Sequence, residues 1–281
     1  MKITVRKLPK SEIEIEGELE SDLFESYFTK ALKKLGENLK LDGFRKGKIP
    51  ESVLHSNIPE INVLEEMANL ALSEHYPKII EGEKIDPISR PEISITKLAR
   101  KNPLGFKIKT AILPEIKLPD YKEIAKKIIS EITNVEKNLE KETTQKEKTR
   151  LKIIEKIIED SILEMPEILI EMELDKILYR MESDITAMGL KFEDYLKQLN
   201  KTKENLRSEF RTESEKKAKL ALILNKIAKV EKIAIDKNQL NEEVTRILER
   251  YKDADPERAR IHVENILTNE KIFQFLENLT L

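Results

Sequence analysis

The chain has 281 residues, of which 39% are hydrophobic, and this is enough for a sizeable core and about two domains. Basic and acidic residues number 51 and 53, so the protein lacks the overall positive charge of a general polyanion binder. The absence of Cys excludes disulfides, thiolate metal sites and cysteine nucleophiles. The longest apolar run, Leu220 to Leu224, is too short to span a membrane, and the first residues lack the apolar stretch of a secretory signal. We therefore expect a cytoplasmic protein with no membrane partner.

Prolines and glycines are concentrated in the first part of the chain. Nine of the eleven prolines and six of the seven glycines lie at or before Pro119. Because both residues interrupt helices, this distribution predicts an α+β domain over residues 1–118 and an almost wholly helical domain over residues 151–281. Residues 119–150 form the predicted connector between them.

The first domain is predicted to begin with two strands and a helix. Residues Glu12 to Glu16 alternate between charged and apolar types, which is typical of a strand with one solvent-exposed face. Lys2 to Leu8 is its predicted partner. Asp22 is predicted to cap a helix that runs to about Leu39, with Glu25 completing a capping-box pattern.

The remaining elements of the first domain are predicted from its prolines and turn residues. Pro50 is well placed to open a second helix, because its fixed φ suits the first helical turn. Pro91 to Lys97 and Leu104 to Leu113 have the composition of another hairpin. The order of two strands, helix, loop, helix and two strands predicts an α+β domain.

Beyond Pro119 the apolar residues follow a helical period. Ile153 to Ile162 and Leu169 to Met188 form the apolar stripes of two helices separated by Pro166, and Gly189 is predicted to end the second. Further helices are predicted at Leu206 to Val230, after a cap at Asp236, and at about Pro256 to Leu279.

One segment between the two predicted helices of the first domain stands out, Leu41 to Pro50, with the sequence LDGFRKGKIP. Its surroundings are basic, since seven basic and two acidic residues lie between Lys30 and Lys48. The segment is a poor match to a phosphate-binding P-loop, because only three residues separate Gly43 from Gly47 and Ile49 stands where a Ser or Thr should hold Mg²⁺.

The glycines of this segment, Gly43 and Gly47, allow the backbone angles of a sharp turn that projects its tip. The tip would display Phe44 beside Arg45 and Lys46, which combines an apolar anchor with cations that pair with carboxylates or phosphates. The alternative is an ordinary helix–helix loop in which Phe44 is buried and the lysines are solvated.

Within this segment, GFRKGKIP resembles the ribosome-docking signature of the bacterial trigger factors. Other stretches that are similar to this family are Ile112 to Pro119, Met165-Pro166-Glu167 ahead of a helix with Glu171, Met188 to Leu190, Tyr195-Leu196 and Glu215 to Leu224. The resemblance implies an elongated, ATP-independent chaperone that needs no cofactor. It would dock near the exit tunnel of the large ribosomal subunit and shield apolar segments of nascent chains.

The resemblance also assigns residues and partners. The ribosome-binding candidates are Gly43, Phe44, Arg45, Lys46, Gly47, Lys48 and Pro50. Expected partners are protein and rRNA at the exit tunnel, unfolded nascent polypeptides and, away from the ribosome, a second copy of the chain in a weak homodimer. The client-binding candidates, which as an exposed row would adapt to many partners, are Met165, Met172, Met181 and Met188. The alternative for these methionines is a stripe in a helical core.

A typical trigger factor carries a prolyl-isomerase domain of the FK506-binding type between its two other regions. That domain needs several glycines at its turns, whereas residues 119–281 contain only Gly189, so we expect the domain to be absent and the protein not to be an enzyme. The histidines His55, His75 and His262 form no metal-ligand pair, and no nucleophile motif is present. Two alternatives stay open, a prolyl isomerase and a holdase that does not visit ribosomes.

Overall fold

The computed structural model describes residues 1–42, 44–45, 47–135 and 142–279. It divides the chain into two compact units, an N-terminal unit, Met1–Pro114, and a C-terminal unit, Glu115–Leu281. The N-terminal unit combines strands and helices, and the described elements of the C-terminal unit are helices. The predicted fold class, α+β followed by all-α, is confirmed.

A four-stranded antiparallel sheet in the order β1-β2-β4-β3 organises the N-terminal unit. Its strands are β1 (Lys2–Leu8), β2 (Glu12–Leu19), β3 (Glu92–Lys97) and β4 (Leu104–Ala111). The alternation predicted in β2 is confirmed, since Ile13 and Ile15 are buried. On the opposite face of β2, Glu12 and Glu16 pair with lysines of β4. One face of the sheet is therefore apolar and the other carries ion pairs.

Four helices share a single hydrophobic core with this sheet: α1 (Ser21–Glu25), α2 (Phe28–Asn38), α3 (Glu51–Asn57) and α4 (Glu60–Gly82). Fully buried side chains of this core include Phe24, Met67 and Phe106. Pro50 directly precedes α3 and Pro59 directly precedes α4, so the chain starts a new helix after each of these prolines.

The prediction of one helix from Asp22 to about Leu39 is wrong. The structure has two helices, α1 and α2, separated at Ser26 and Tyr27. The predicted cap is wrong as well, because the residue that precedes α1 is Glu20, and no side chain caps this helix.

Tertiary contacts explain the break between α1 and α2. Tyr27 is buried, and its hydroxyl donates to the Glu74 carboxylate of α4 at 2.9 Å. Glu25, which was predicted to complete a capping box, instead accepts a hydrogen bond of 2.9 Å from Arg100 Nε. The Arg100 guanidinium also stacks on the Phe28 ring, 3.7 Å from its centroid. These contacts fix Glu25, Tyr27 and Phe28 to distant parts of the chain at the point where the helix is interrupted.

Helices make up the described elements of the C-terminal unit, apart from an isolated β-bridge between Lys117 and Ile162. They are α5 (Tyr121–Val135), α6 (Glu142–Asp160), α7 (Glu167–Ala187), α8 (Phe192–Gln198), α9 (Lys203–Val230), α10 (Lys237–Arg250) and α11 (Pro256–Glu277). The predicted connector, residues 119–150, contains α5 and the first part of α6, and residues 136–141 of it lie outside the described residues.

The long helix α9 joins two hydrophobic clusters of the C-terminal unit. Near its start, Leu206 packs in a cluster with Leu178 of α7. Near its end, Ile223 packs in a second cluster with Ile153 of α6 and Ile272 of α11. Its 28 residues give α9 a length of about 42 Å. None of the described helices, α9 included, is long and apolar enough to cross a membrane.

Three helix boundaries predicted in this unit from a proline, a glycine and an aspartate are confirmed. Pro166 directly precedes α7, and Gly189 follows its end with a left-handed φ of +80°. Asp236 caps α10 by accepting from the backbone N–H groups of Asn238 and Gln239 at 2.7 and 3.2 Å.

Candidate functional site

Residues 41–50, which we call the basic loop, connect α2 to α3 and are anchored at both ends. Leu41 is half-buried against the core of the N-terminal unit, and Ile49 is buried in it. The two helices approach closely at the base of the loop, because a Cβ atom on Gly36 would lie 2.7 Å from the methyl carbons of Leu54. The ends of the loop are therefore fixed by packed elements.

Two turns shape the basic loop between these anchors. The Phe44 N–H donates to the Leu41 carbonyl at 3.1 Å, and the Lys48 N–H donates to the Arg45 carbonyl at 2.9 Å. Gly47 adopts a φ of +73°, and a Cβ atom there would meet nothing within 4 Å. Glycine is needed at this position for its backbone conformation and not to avoid crowding.

The basic loop exposes an aromatic ring among polar and basic side chains. Phe44 is 42% exposed and is not part of the core. The other described candidates that are exposed are Arg45, Gly47, Lys48 and Pro50. The predictions for Gly43 and Lys46 lie outside the described residues.

Unpaired cations lie in the basic loop and in the helix that leads into it. Lys34 of α2 pairs with Glu66 at 2.6 Å. By contrast, Lys33, Lys40 and Arg45 are exposed and have no carboxylate partner in the described part of the chain. Cations without an intramolecular partner are free to pair with a phosphate or carboxylate of another molecule.

The four candidate methionines occupy different environments. Met172 is 46% exposed and Met188 is 76% exposed. Met165 and Met181 are half-buried, and Met181 packs against the cluster around Leu178. The row is therefore divided between packing and exposed surface.

Further exposed apolar side chains lie near α7 and α8, and sequence analysis did not single them out. Tyr179 is 76% exposed, Leu190 is 50% exposed and Leu199 is 44% exposed. A cavity of about 480 Å³ nearby is lined in part by Leu190, Phe192 and Leu196. Tyr179 could have been identified from the sequence, because it lies outside the apolar stripe of α7 that is buried. A polar residue is usual on that outer face of a helix.

Ion pairs between α7 and α9 hold this surface in place. Arg207 Nη1 lies 2.7 Å from the Asp175 carboxylate, and the same guanidinium contacts Glu171. Arg211 lies 3.3 Å from Glu171 and also contacts Glu167. Because the pairs repeat along both helices, they fix the register of α7 against α9.

A second polar cluster links the start of α2 to α4. Burial, together with the neighbouring Glu74 carboxylate, raises the pKa of Tyr27 to about 12. Hydrogen bonds from Tyr27 and Lys78 lower the pKa of Glu74, and burial lowers the pKa of His75. No group of His, Asp and Glu side chains is arranged to hold a metal ion among the residues that the structure describes.

Two family models match the chain along most of its length. The model of the bacterial trigger factor protein that covers the N-terminal part matches residues 1–146. The model of the C-terminus of the same protein matches residues 132–277. The chain belongs to the trigger factor family. The resemblance seen in the sequence is thereby confirmed.

Within the matched stretches, curated trigger factors are identical to this chain at about a third of the positions. The trigger factor of Mycobacteroides abscessus is 34% identical over 143 residues, which is 50% of this chain and 29% of that protein. The trigger factor of Acetivibrio thermocellus is 33% identical over 147 residues, which is 52% of this chain and 33% of that protein. The matched stretches span no more than a third of these relatives, and the chain is shorter than they are.

A solved structure of the trigger factor chaperone has the same fold. That structure, described for promiscuous substrate recognition in folding and assembly activities, matches with a TM-score of 0.62 at 12% sequence identity. The match covers 99% of this chain and 100% of the other. At this identity the comparison concerns the fold alone.

Proposed function

We propose that the protein is an ATP-independent chaperone that docks at the large ribosomal subunit through the basic loop and shields apolar segments of nascent chains. Membership of the trigger factor family supports the chaperone role. The observation that carries the docking proposal is the basic loop itself. There Phe44 is exposed beside the unpaired cation of Arg45, on a backbone held by Gly47 and Ile49.

The chemistry of the basic loop suits a ribosomal surface. Arg45 and Lys48 can pair with rRNA phosphates or with carboxylates of a ribosomal protein. Phe44 adds an apolar contact that salt does not screen. Binding should therefore weaken as salt rises, because each phosphate contact releases counterions, and it should keep a residual component from Phe44.

The test of docking is the triple variant Phe44→Ala, Arg45→Ala and Lys46→Ala in ribosome co-sedimentation over a series of salt concentrations. We expect binding to weaken by about tenfold or more and to depend less on salt, because two cations and the apolar anchor are lost. Folding should be unaffected, because Phe44 and Arg45 are exposed and substitutions at exposed positions usually change stability by less than about 0.5 kcal/mol.

A matched control removes one apolar and two basic side chains elsewhere in the N-terminal unit. Lys7, Ile61 and Arg90 are exposed, and replacing all three by Ala makes the same change in charge and also removes an exposed apolar side chain. This control should co-sediment like the parent. If the triple variant of the basic loop also binds like the parent, the docking assignment is wrong.

We propose that clients bind to the exposed apolar side chains of the α7–α8 region. Contacts of this kind are individually weak and dissociate quickly, so a chaperone that uses them needs no nucleotide to release its clients. Flexible methionines such as Met172 and Met188 adapt to many apolar partners. Charged residues nearby, among them Lys191, keep the surface divided and limit self-association.

The client surface is tested by suppression of the aggregation of an unfolded protein without nucleotide. Met172→Gln with Met188→Gln should reduce suppression, whereas Arg180→Gln on the same helix should not. Unchanged suppression by the double variant would place the client surface elsewhere. Suppression by a parent protein that does not co-sediment with ribosomes would identify a ribosome-independent holdase.

We further propose that the protein does not catalyse prolyl isomerisation. The two family models overlap at residues 132–146, which supports the proposal that no isomerase domain lies between the regions they match. Residues 121–135 and 142–160 belong to α5 and α6, which supports the same proposal. In an assay with a short proline peptide we expect the uncatalysed rate. A faster rate would favour the isomerase alternative.

A further inference from the structure

The two edge strands of the sheet, β1 and β3, differ in how their apolar side chains are covered. On β1, Ile3 and Val5 are half-buried and pack against the core. On β3, Ile93 and Ile95 are 44% and 39% exposed, although they stand opposite buried residues of β4. The apolar face of the sheet therefore continues onto β3 without a cover.

A groove of about 300 Å³ runs between β3 and α4. Its apolar lining comes from Leu72 and Tyr76 of α4 and from Pro91, Ile93 and Ile95. This volume is at the small end of the range for ligand pockets. It suits the side chains of a narrow ligand.

The free edge of β3 determines which ligand fits. Alternate residues of an edge strand turn their backbone N–H and C=O groups away from the sheet. Pro91 limits pairing before the strand, and the irregularity between Ile95 and Lys97 limits it after. The edge that is open for pairing thus comprises residues 92–95, and its length suits a short extended segment of polypeptide.

An extended polypeptide satisfies both parts of the site at once. Its backbone can pair with residues 92–95, and its alternate side chains, about 7 Å apart, point to the same face as the groove. A small apolar molecule would leave the strand edge unpaired. A folded domain can offer only an exposed edge strand of its own, whereas an unfolded segment is free to extend along all of residues 92–95. The geometry therefore favours an unfolded chain.

We propose that β3 and the groove beside α4 form a polypeptide-binding site that takes a short, extended apolar segment as an added strand. This inference rests on the proposed chaperone function for the nature of its ligand, an unfolded chain. It depends neither on ribosome docking nor on the client surface of the C-terminal unit. Ile93 and Ile95 make the apolar contacts, and the free backbone edge of residues 92–95 makes the hydrogen bonds.

The first test uses the full chain and a short fluorescent peptide of alternating Val and Thr with a Lys at each end. We expect binding by fluorescence anisotropy, together with slower amide hydrogen exchange at residues 92–95. The same peptide methylated on alternate backbone nitrogens keeps its side chains but cannot pair with the strand. It should bind about tenfold more weakly.

Variants test the side chains of the site. Ile93→Lys with Ile95→Lys places charge on the strand edge and should weaken peptide binding by about tenfold. The matched control is Ile61→Lys, which changes an isoleucine of α4 that is 52% exposed and lies outside the groove. It should bind like the parent.

Several results would overturn the inference. One such result is that the peptide does not bind. Another is that it binds equally well to the double lysine variant and does not slow amide exchange at residues 92–95 of the parent. In either case the aggregation assay of the parent shows separately whether the proposed chaperone function holds. If the double lysine variant does not fold, the exchange measurement on the parent decides. Protection of residues 92–95 that rises with protein concentration without peptide would identify a second copy of the chain as the occupant and would also overturn the inference.

Discussion

Gly36 in α2 and Gly82 at the end of α4 are both helical glycines, yet replacing each by Ala should change stability in opposite directions. Ala is the better helix former by up to about 1 kcal/mol. At Gly82 a Cβ atom would meet nothing within 4 Å, and the backbone is not left-handed. Gly82→Ala should therefore stabilise the N-terminal unit by about 0.5 kcal/mol.

At Gly36 the added methyl meets the core. A Cβ atom there would lie 2.7 Å from both methyl carbons of Leu54, whose side chain is buried with 4% exposure. Forcing extra volume into a packed core costs roughly 1–3 kcal/mol, and the gain in helix propensity offsets about 1 kcal/mol of this. Gly36→Ala should thus destabilise the unit by about 1 kcal/mol.

The crowding can be isolated with a third substitution. Leu54→Ala by itself should cost about 3 kcal/mol, because it leaves a cavity in the core. In the double variant with Gly36→Ala, the added methyl enters that cavity and no longer clashes. The double variant should therefore be more stable than the sum of the single effects by about 1–2 kcal/mol.

Native-state hydrogen exchange at β4 amides, such as those of Phe106 and Ile108, is the appropriate assay. These residues are fully buried in the N-terminal unit, so their exchange reports on that unit alone. Two results would refute the reasoning. One is a Gly36→Ala variant stabilised as much as Gly82→Ala, and the other is a double variant whose effects add within about 0.3–0.5 kcal/mol.

The Ser214 hydroxyl is fully buried in α9 with no partner in the described residues, so Ser214→Ala should raise stability by about 1 kcal/mol in thermal unfolding. A lower melting temperature would contradict this. A hydrogen bond from Arg100 is the main cause of the lowered pKa of Glu25. The stability from this pair should be complete above the ordinary glutamate pKa and should disappear as pH falls through the lowered value. Arg100→Ala should cost about 1–2 kcal/mol at neutral pH and much less in acid, as measured by urea unfolding over a pH series. Met172→Gln and Met188→Gln should each change the free energy of unfolding by less than about 0.5 kcal/mol, and a larger loss would mean that the side chain is packed.

Elements that depend on adjacent residues could be predicted from the sequence. Asp236 caps α10 with its own side chain, and Pro166 and Gly189 delimit α7 through their backbone angles. The composition of the basic loop, an aromatic ring and cations between two glycines, could also be recognised from the sequence. Each of these features involves groups a few residues apart, so the sequence contains all of the interacting partners.

Features that depend on distant partners could not be predicted in this way. The break between α1 and α2 comes from contacts of Tyr27 with Glu74 and of Glu25 with Arg100, which are remote in the chain. The exposure of Phe44 depends on the close packing of α2 and α3 that leaves the basic loop outside the core.

Two nearly identical segments show why tertiary structure was decisive. Glu12-Ile13-Glu14-Ile15 and Glu92-Ile93-Ser94-Ile95 have the same alternation, and both form strands whose isoleucines face the apolar side of the sheet. In the central strand β2 those isoleucines are 4% and 0% exposed, whereas on the edge strand β3 they are 44% and 39% exposed. The alternation by itself determined that each segment is a strand and which residues share a face. Whether that face is buried was decided by neighbouring strands and helices, because burial depends on what covers a side chain and not on the side chain itself.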